Sequence, residues 1–212
     1  MSIAFHKTPI ILKKIFPGLT WQRESTAEKK IYLTFDDGPV PDLTEYVIDL
    51  LAQYNARATF FCVGDNIRKY PEILTKVDRG GHRIGNHTFH HVKGWKMSHQ
   101  AYLDDIDLCE KMIRENASDQ PLNLFRPPYG QIKPGQIGPV AKKYEIIMWS
   151  VLAYDFEKRL NTRNAINKCI QYSKNGSIVV FHDNYKAEKN LKTILPAYLQ
   201  HFSNEGFTFA PL

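Results

Sequence analysis

Two hydrophobic periods alternate along this chain. Short runs rich in β-branched and aromatic residues fall at 31–36, 58–62, 82–86, 122–125, 146–151, 177–181 and 207–209. Segments of helical period fill most of the gaps, near 42–54, 65–77, 98–115, 162–173 and 191–202, with a short helix between 138 and 146. In 98–115 the positions Tyr102, Leu103, Ile106, Cys109, Met112 and Ile113 mark one buried side. About seven short strands separated by helices predict β/α units around a mostly parallel sheet. Ahead of them, Thr8-Pro9 opens and Pro17-Gly18 closes an apolar stretch holding Ile10, Ile11, Leu12, Ile15 and Phe16, which predicts a helix of roughly two turns. This helix either docks on the domain as a plug or lid, or lies on a membrane surface. Its shortness and its two lysines, Lys13 and Lys14, favour docking. Polar residues 22–30 read as a linker into the first strand.

In parallel β/α folds the loops that follow the strands converge on one face, so residues at strand ends are the first candidates for chemistry. Here those ends carry Asp36-Asp37, His87-Thr88-Phe89-His90-His91, Arg126-Pro127-Pro128-Tyr129, Asp155, and His182-Asp183. Two adjacent carboxylates that finish a buried strand repel each other when ionised and call for a nearby cation or metal. His87 and His91, four apart, can point to one centre across either a helical turn or a tight loop, and Asp37 can complete a site of two histidines and one carboxylate. Such nitrogen and oxygen donors leave positions open, as a catalytic divalent ion requires, whereas a structural zinc site closes with thiolates. Each feature alone has a plainer reading: a solvated turn at Asp36-Asp37, two solvent-facing side chains for the histidine pair, a surface ion pair at Arg126, a helix-start carboxylate at Asp155, a satisfied core histidine at His182. Their joint occurrence at successive strand ends is what those plainer readings leave unexplained.

Composition narrows the class further. With 212 residues, 43% of them hydrophobic, one domain with a full core is expected. The net charge of +6 is scattered as single residues and pairs rather than gathered in a stripe, which argues against nucleic acid as a partner. Cys62, Cys109 and Cys169 sit in apolar periodic segments and are expected to be free and buried. No run is long enough to span a bilayer and no signal-peptide pattern is present. A cytoplasmic location is therefore expected, with the cell envelope or secretion left open.

Taken in order, these motifs resemble those of the polysaccharide deacetylases of the NodB-homology type, carbohydrate esterase family 4. Thr34-Phe35-Asp36-Asp37-Gly38-Pro39 matches the first motif, His87-Thr88-Phe89-His90-His91 the second and Arg126-Pro127-Pro128-Tyr129 the third; the resemblance covers about residues 29–210. The last two motifs are looser. Leu152, Asp155 and Phe156 stand where the family has Asp-x-x-Asp-Trp, and Val180-Phe181-His182 where it has Leu-x-His. The resemblance implies a distorted (β/α) barrel over 29–212, preceded by a helix and linker over 1–28. It also implies removal of N-acetyl groups from N-acetylglucosamine-containing glycans such as peptidoglycan or chitin-like oligomers. Asp37, His87 and His91 would hold the metal, zinc first, with cobalt, nickel or manganese as alternatives. Asp36 would be the general base and His182 the general acid, with Arg126 orienting Asp36 through a bidentate pair and Asp155 holding His182 cationic. The Tyr129 N–H would stabilise the oxyanion. Tyr129, Trp95, Trp149 and Phe156 are candidates for sugar or pocket contact, although for Trp149, inside an apolar strand, the core is the favoured place. Leu152 and Phe156 imply retained catalysis with an altered pocket. The competing readings are an amidase or O-acetyl esterase on the same fold, and a silent glycan-binding domain. The silent form would have lost Asp36 or the three ligands, and all four are present.

Overall fold

The run at 31–36 becomes β1 (Lys30–Asp36), the strand on which the sheet is centred. β1 pairs in parallel with β2 (Thr59–Cys62) on one side and β7 (Ile178–His182) on the other. The structure is a computed structural model and describes residues 6–24, 27–118 and 120–212; Ser25 and Thr26 of the expected linker, and residues 1–5, lie outside them. Beyond β2 follow β3 (Arg83–Asn86), β4 (Leu124–Phe125) and β5 (Glu145–Ile146), and beyond β7 lies β6 (Val151–Leu152), giving the order β5-β4-β3-β2-β1-β7-β6. The two ends of that order are the two ends of one stretch. The run expected as a single strand at 146–151 is split into β5 and β6, and in passing from one sheet edge to the other it closes seven strands into a distorted barrel. β8 (Thr208–Ala210) adds parallel pairing to the start of β1, and the Arg57 N–H donates to Phe209 O (3.1 Å), so β8 fills the gap where β1 and β2 diverge.

Pleating assigns the two faces of β1. Ile31, Leu33 and Phe35 point outward into the core formed with the helices, whereas Tyr32, Thr34 and Asp36 point inward. The barrel interior is filled by Phe61, Leu124, Ile147 and Ile178. Outside, α2 (Leu43–Gln53) buries Leu43, Val47, Leu50 and Leu51. α5 (His99–Asn116) buries Tyr102, Ile106, Cys109 and Ile113, α7 (Thr162–Tyr172) follows β6, and α8 (Glu188–Asn204) follows β7. The helix expected at 65–77 is broken into α3 (Gly64–Lys69) and α4 (Pro71–Arg79). Pro71 lacks the N–H that a continuous helix needs there and starts a new one instead. α6 (Pro134–Ala141) supplies the short helix before β5, somewhat earlier in the chain than expected. All three cysteines are free and buried.

The N-terminal segment is mounted on β6. Thr8 N donates to Ser150 O and Leu152 N to His6 O, both at 3.0 Å, and the Thr8 hydroxyl donates to Trp149 O at 2.7 Å. The expected helix is present as α1 (Ile10–Ile15), and none of its residues is buried. Among the described residues no helix is long and apolar enough to cross a membrane.

Candidate active site

Strand register brings the C-terminal ends of β1, β2 and β7 to one rim: Asp36 lies beside Phe61 and beside His182. Since Thr34 and Asp36 share the inward face of β1, one guanidinium nitrogen meets both. Arg126 Nη1 donates to Asp36 Oδ1 at 2.6 Å and to Thr34 Oγ1 at 2.7 Å. Its Nη2 donates to Met148 O (3.0 Å) and its Nε to Ile147 O (3.2 Å). The expected bidentate pair is therefore not formed. Arg126 meets Asp36 through a single nitrogen because its other two are committed to carbonyls of the stretch joining β5 to β6. It is fully buried and its guanidinium lies 4.2 Å from the Phe61 ring centre.

Directly after β1 the chain turns sharply, with Asp37 at φ 83°. Asp37 Oδ1 then lies 3.5 Å from His87 Nε2 and 3.0 Å from His91 Nε2, and the three donor atoms fall within 4.8 Å of one another. Between His87 and His91 the chain forms a tight loop, not a helical turn, with Thr88 at φ 64° and His91 at φ 53°. Asn86 and Asp105 hold it. Asn86 Oδ1 accepts from Thr88 N (2.9 Å) while its amide donates to Ile106 O (2.8 Å), and Asp105 Oδ2 accepts from Phe89 N and His90 N. His90 turns away from Asp37 onto Asp105 Oδ1. Residues held at positive φ without being glycine cost free energy and persist where surrounding contacts over-determine them; Asp37, Thr88, His91 and Tyr129 all do so around this one site.

The donor set suits a divalent ion on this geometry alone. His87 Nδ1 lies 2.7 Å from Arg126 O, which fixes the proton on Nδ1 and leaves the Nε2 lone pair facing Asp37. The second oxygen of Asp37 accepts from the Asn184 amide, and Asn66 donates to the Asp37 carbonyl at 2.7 Å. Burial pushes the Asp37 carboxyl upward, but the facing His87 and His91 rings, with the charge of His182, outweigh it and hold the group well below the usual carboxylate range.

Across the pocket, His182 ends β7. Asp155, itself fully buried, accepts from His182 N at 2.7 Å with one oxygen and lies 2.8 Å from His182 Nδ1 with the other. Burial disfavours the imidazolium, yet the charge and hydrogen bond of Asp155 win and the ring is pushed up to about 9. Phe156 meets the edge of the His182 ring at 5.0 Å.

These groups line a cavity of about 530 Å³ that holds Asp36, Asp37, His87, His91, His182 and Tyr129, with Phe156 and Leu152 in its wall. Tyr129, at φ 59°, packs its ring 4.6 Å from that of His91. Two positions differ from expectation. Trp149, expected in the core, is only half-buried and walls the cavity, because the chain between β5 and β6 leaves the sheet there. Trp95 lies outside the cavity, in an adjoining apolar cleft of about 470 Å³ that shares Tyr129, Trp149 and Leu152.

Three supporting residues went unassigned at the level of sequence. Asn184 secures Asp37. Asp183 accepts from Gly38 N (3.1 Å) and from the Thr44 hydroxyl (2.6 Å), tying the turn after Asp37 to α2, and burial pushes its carboxyl up to about 8. Gly38 is required beneath it, since a Cβ there would lie 2.0 Å from Asp183 Oδ2. Asp105 anchors the histidine loop. Adjacency to His182 was the one available signal for Asp183 and Asn184; Asp105 sits in a helical period that reads as a solvated face.

The family model described as "Polysaccharide deacetylase" matches residues 23–148. The chain belongs to that family. A peptidoglycan-N-acetylglucosamine deacetylase of Bacillus cereus is 35% identical over 195 residues, covering 90% of this chain and 89% of its own length. A chitooligosaccharide deacetylase of Azorhizobium caulinodans is 34% identical over 158 residues, 74% of either chain. Among solved structures, a peptidoglycan N-acetylglucosamine deacetylase bound to an aryl hydroxamate superposes with a TM-score of 0.87 at 28% identity, covering 97% of this chain and 95% of the other. Membership of the deacetylase family accounts for the barrel and for the order in which the strand ends deliver their polar groups.

Proposed function

We propose that this protein is a divalent-metal-dependent N-deacetylase acting on N-acetylglucosamine-containing glycans. The observation that carries the reading is the convergence of Asp37, His87 and His91 on one point of a cavity whose other walls present Asp36 and His182. Asp37, His87 and His91 would hold the ion, and with nitrogen and oxygen donors only, zinc fits best, with cobalt, nickel and manganese as alternatives. When bound, such an ion acidifies water and polarises a carbonyl.

The chain's own groups divide the remaining work. Asp36, held in place by Arg126, takes the proton from the attacking water as general base. The Tyr129 N–H, presented by its positive-φ turn, donates to the developing oxyanion. His182 delivers a proton to the departing amine, which is a poor leaving group without one, and Asp155 keeps His182 charged until then. Phe156 and Leu152 form an apolar wall that suits the acetyl methyl or the apolar face of a sugar rather than a hydroxyl. Related enzymes described as acting on peptidoglycan and on chitooligosaccharides support the glycan class.

Acetate release from N-acetylglucosamine oligomers and peptidoglycan fragments tests this, after chelation and re-addition of zinc or cobalt. Release restored by metal in the wild type, but absent in Asp36→Asn and His87→Ala, is the expected result. No release from any acetylated glycan by the metal-loaded protein would overturn it.

A further inference from the structure

We propose that α1, together with the rim of the apolar cleft beside it, is a docking surface for a bilayer that carries anionic headgroups. Eight large hydrophobic side chains are exposed among the described residues, and six of them belong to α1 or to the cleft lining: Ile10, Ile11, Leu12 and Ile15 on the helix, and Trp95 and Tyr129 in the cleft. Leu12, Trp95 and Tyr129 line the same cleft, so the helix and the two exposed rings are neighbours there. A contiguous apolar patch of this kind marks an interaction site.

The sequence favoured docking of this helix on the domain, and that expectation is met only in part. Leu12 and Phe16 line the cleft, while Ile10, Ile11 and Ile15 remain 64%, 60% and 57% exposed. Nor is α1 a fraying end, since Thr8 and His6 are hydrogen-bonded to the β6 edge immediately before it and Lys7 bridges Val151 in antiparallel fashion. A firmly mounted helix that presents three isoleucines to solvent needs an apolar partner.

Charge identifies that partner. Residues 6–18 contain Lys7, Lys13 and Lys14 and no carboxylate. Lys7 and Lys14 are exposed, while Lys13 Nζ donates to Gln22 Oε1 at 3.0 Å. Isoleucine and tryptophan at the headgroup boundary, flanked by lysines that reach up to anionic lipid, is the composition of an interfacial anchor. A second copy of the chain fits less well. A two-fold contact through this face would bring the two lysine sets together with no acidic group of the segment to offset them. The cleft shares Tyr129 with the candidate active site, so docking would hold that cavity's mouth at the membrane surface. This consequence for substrate access rests on the proposed activity; the docking itself does not.

Co-sedimentation of the full chain with phosphatidylcholine vesicles, with and without about 30% phosphatidylglycerol, tests the proposal. The protein is expected to partition onto the anionic vesicles and to be released as sodium chloride is raised. Ile11→Asp/Ile15→Asp, on exposed positions, should lower partitioning about tenfold or more while leaving the melting temperature and acetate release from soluble oligomers unchanged. Lys7→Glu/Lys14→Glu should remove the salt-sensitive part. Failure of the wild type to bind anionic vesicles at low salt would overturn the proposal. So would equal binding by the isoleucine variant, or a dimer in sedimentation equilibrium that the isoleucine substitutions dissociate.

Discussion

Replacing Asp155 by asparagine isolates the control of His182. In the wild type His182 is raised from 6.5 to about 9, with burial opposing the shift and Asp155, by charge and hydrogen bond, the leading cause in favour. At pH 7.5 a group of that pKa is about 97% protonated, whereas one at 6.5 is about 9% protonated. The substituted amide keeps the shape but removes the charge, and burial then acts unopposed by it, so the variant's pKa should fall to 6.5 or below. Turnover at pH 7.5 should drop about tenfold or more, and the alkaline limb of the kcat profile should move from near 9 to below neutrality. Asp37 also raises His182, and an ion on that carboxylate would cancel its share, so the wild-type limb of the loaded enzyme lies somewhat below 9. The assay is acetate release across a range of about pH 5–10 at saturating substrate. An alkaline limb that stays in place after the substitution would refute the role given to Asp155. The same shift predicts a stability profile. Because the folded pKa is raised, the stabilisation is complete below 6.5 and is lost as pH rises through 9, by at most about 3 kcal/mol for the metal-free protein. Thermal melts of the metal-free wild type should therefore fall over that window, and those of the variant should be flatter.

Arg126→Met should destabilise by about 3–5 kcal/mol, because it leaves Asp36 buried without a counter-charge and two carbonyls without donors, and differential scanning calorimetry reads the loss. A melting temperature close to that of the wild type would show that the guanidinium is not needed there. Asn184→Ala removes the donor on the second oxygen of Asp37 and should weaken zinc binding about 10–100-fold in a competition titration; because Asn184 Oδ1 also accepts from Ala187 N, the metal-free chain should lose about 1 kcal/mol. Gly38→Ala places a methyl against Asp183 and should cost about 1–3 kcal/mol in denaturant unfolding; an unchanged midpoint would mean that the turn yields freely.

The legibility of this chain divides along physical lines. Period-two runs and strand-end polar groups revealed the parallel β/α order and gathered Asp36, Asp37, His87, His91 and His182, because those features depend on local pattern. What depends on the path between elements was less visible. The run at 146–151 is apolar but for Ser150, and a lone serine does not show that the chain leaves one sheet edge near Ile147 and joins the other at Val151, or that Trp149 is thereby turned into the cavity. Arg126 was legible as a partner of Asp36, but its geometry was not, since the two carbonyls that claim its other nitrogens exist only once the barrel closes. Pro71 was a readable helix start that the apolar periodicity around it masked. Asp105 contributes one carboxylate to the histidine loop from a helix distant in sequence, a relation that no single-chain pattern carries.

The single-nitrogen contact between Arg126 and Asp36 makes the site dependent on the barrel's seam. One side chain joins β1 to the stretch between β5 and β6, so anything that parts that stretch also frees the carboxylate that would act as base. At the seam, these guanidinium-to-carbonyl bonds add to the backbone bonds from Ile147 N to Phe125 O and from Ser150 N to Ile178 O, so one buried joint serves both the closure of the barrel and the base. Loss of activity would then keep step with loss of the fold: under rising denaturant the enzyme would fall silent as its sheet melts, not before.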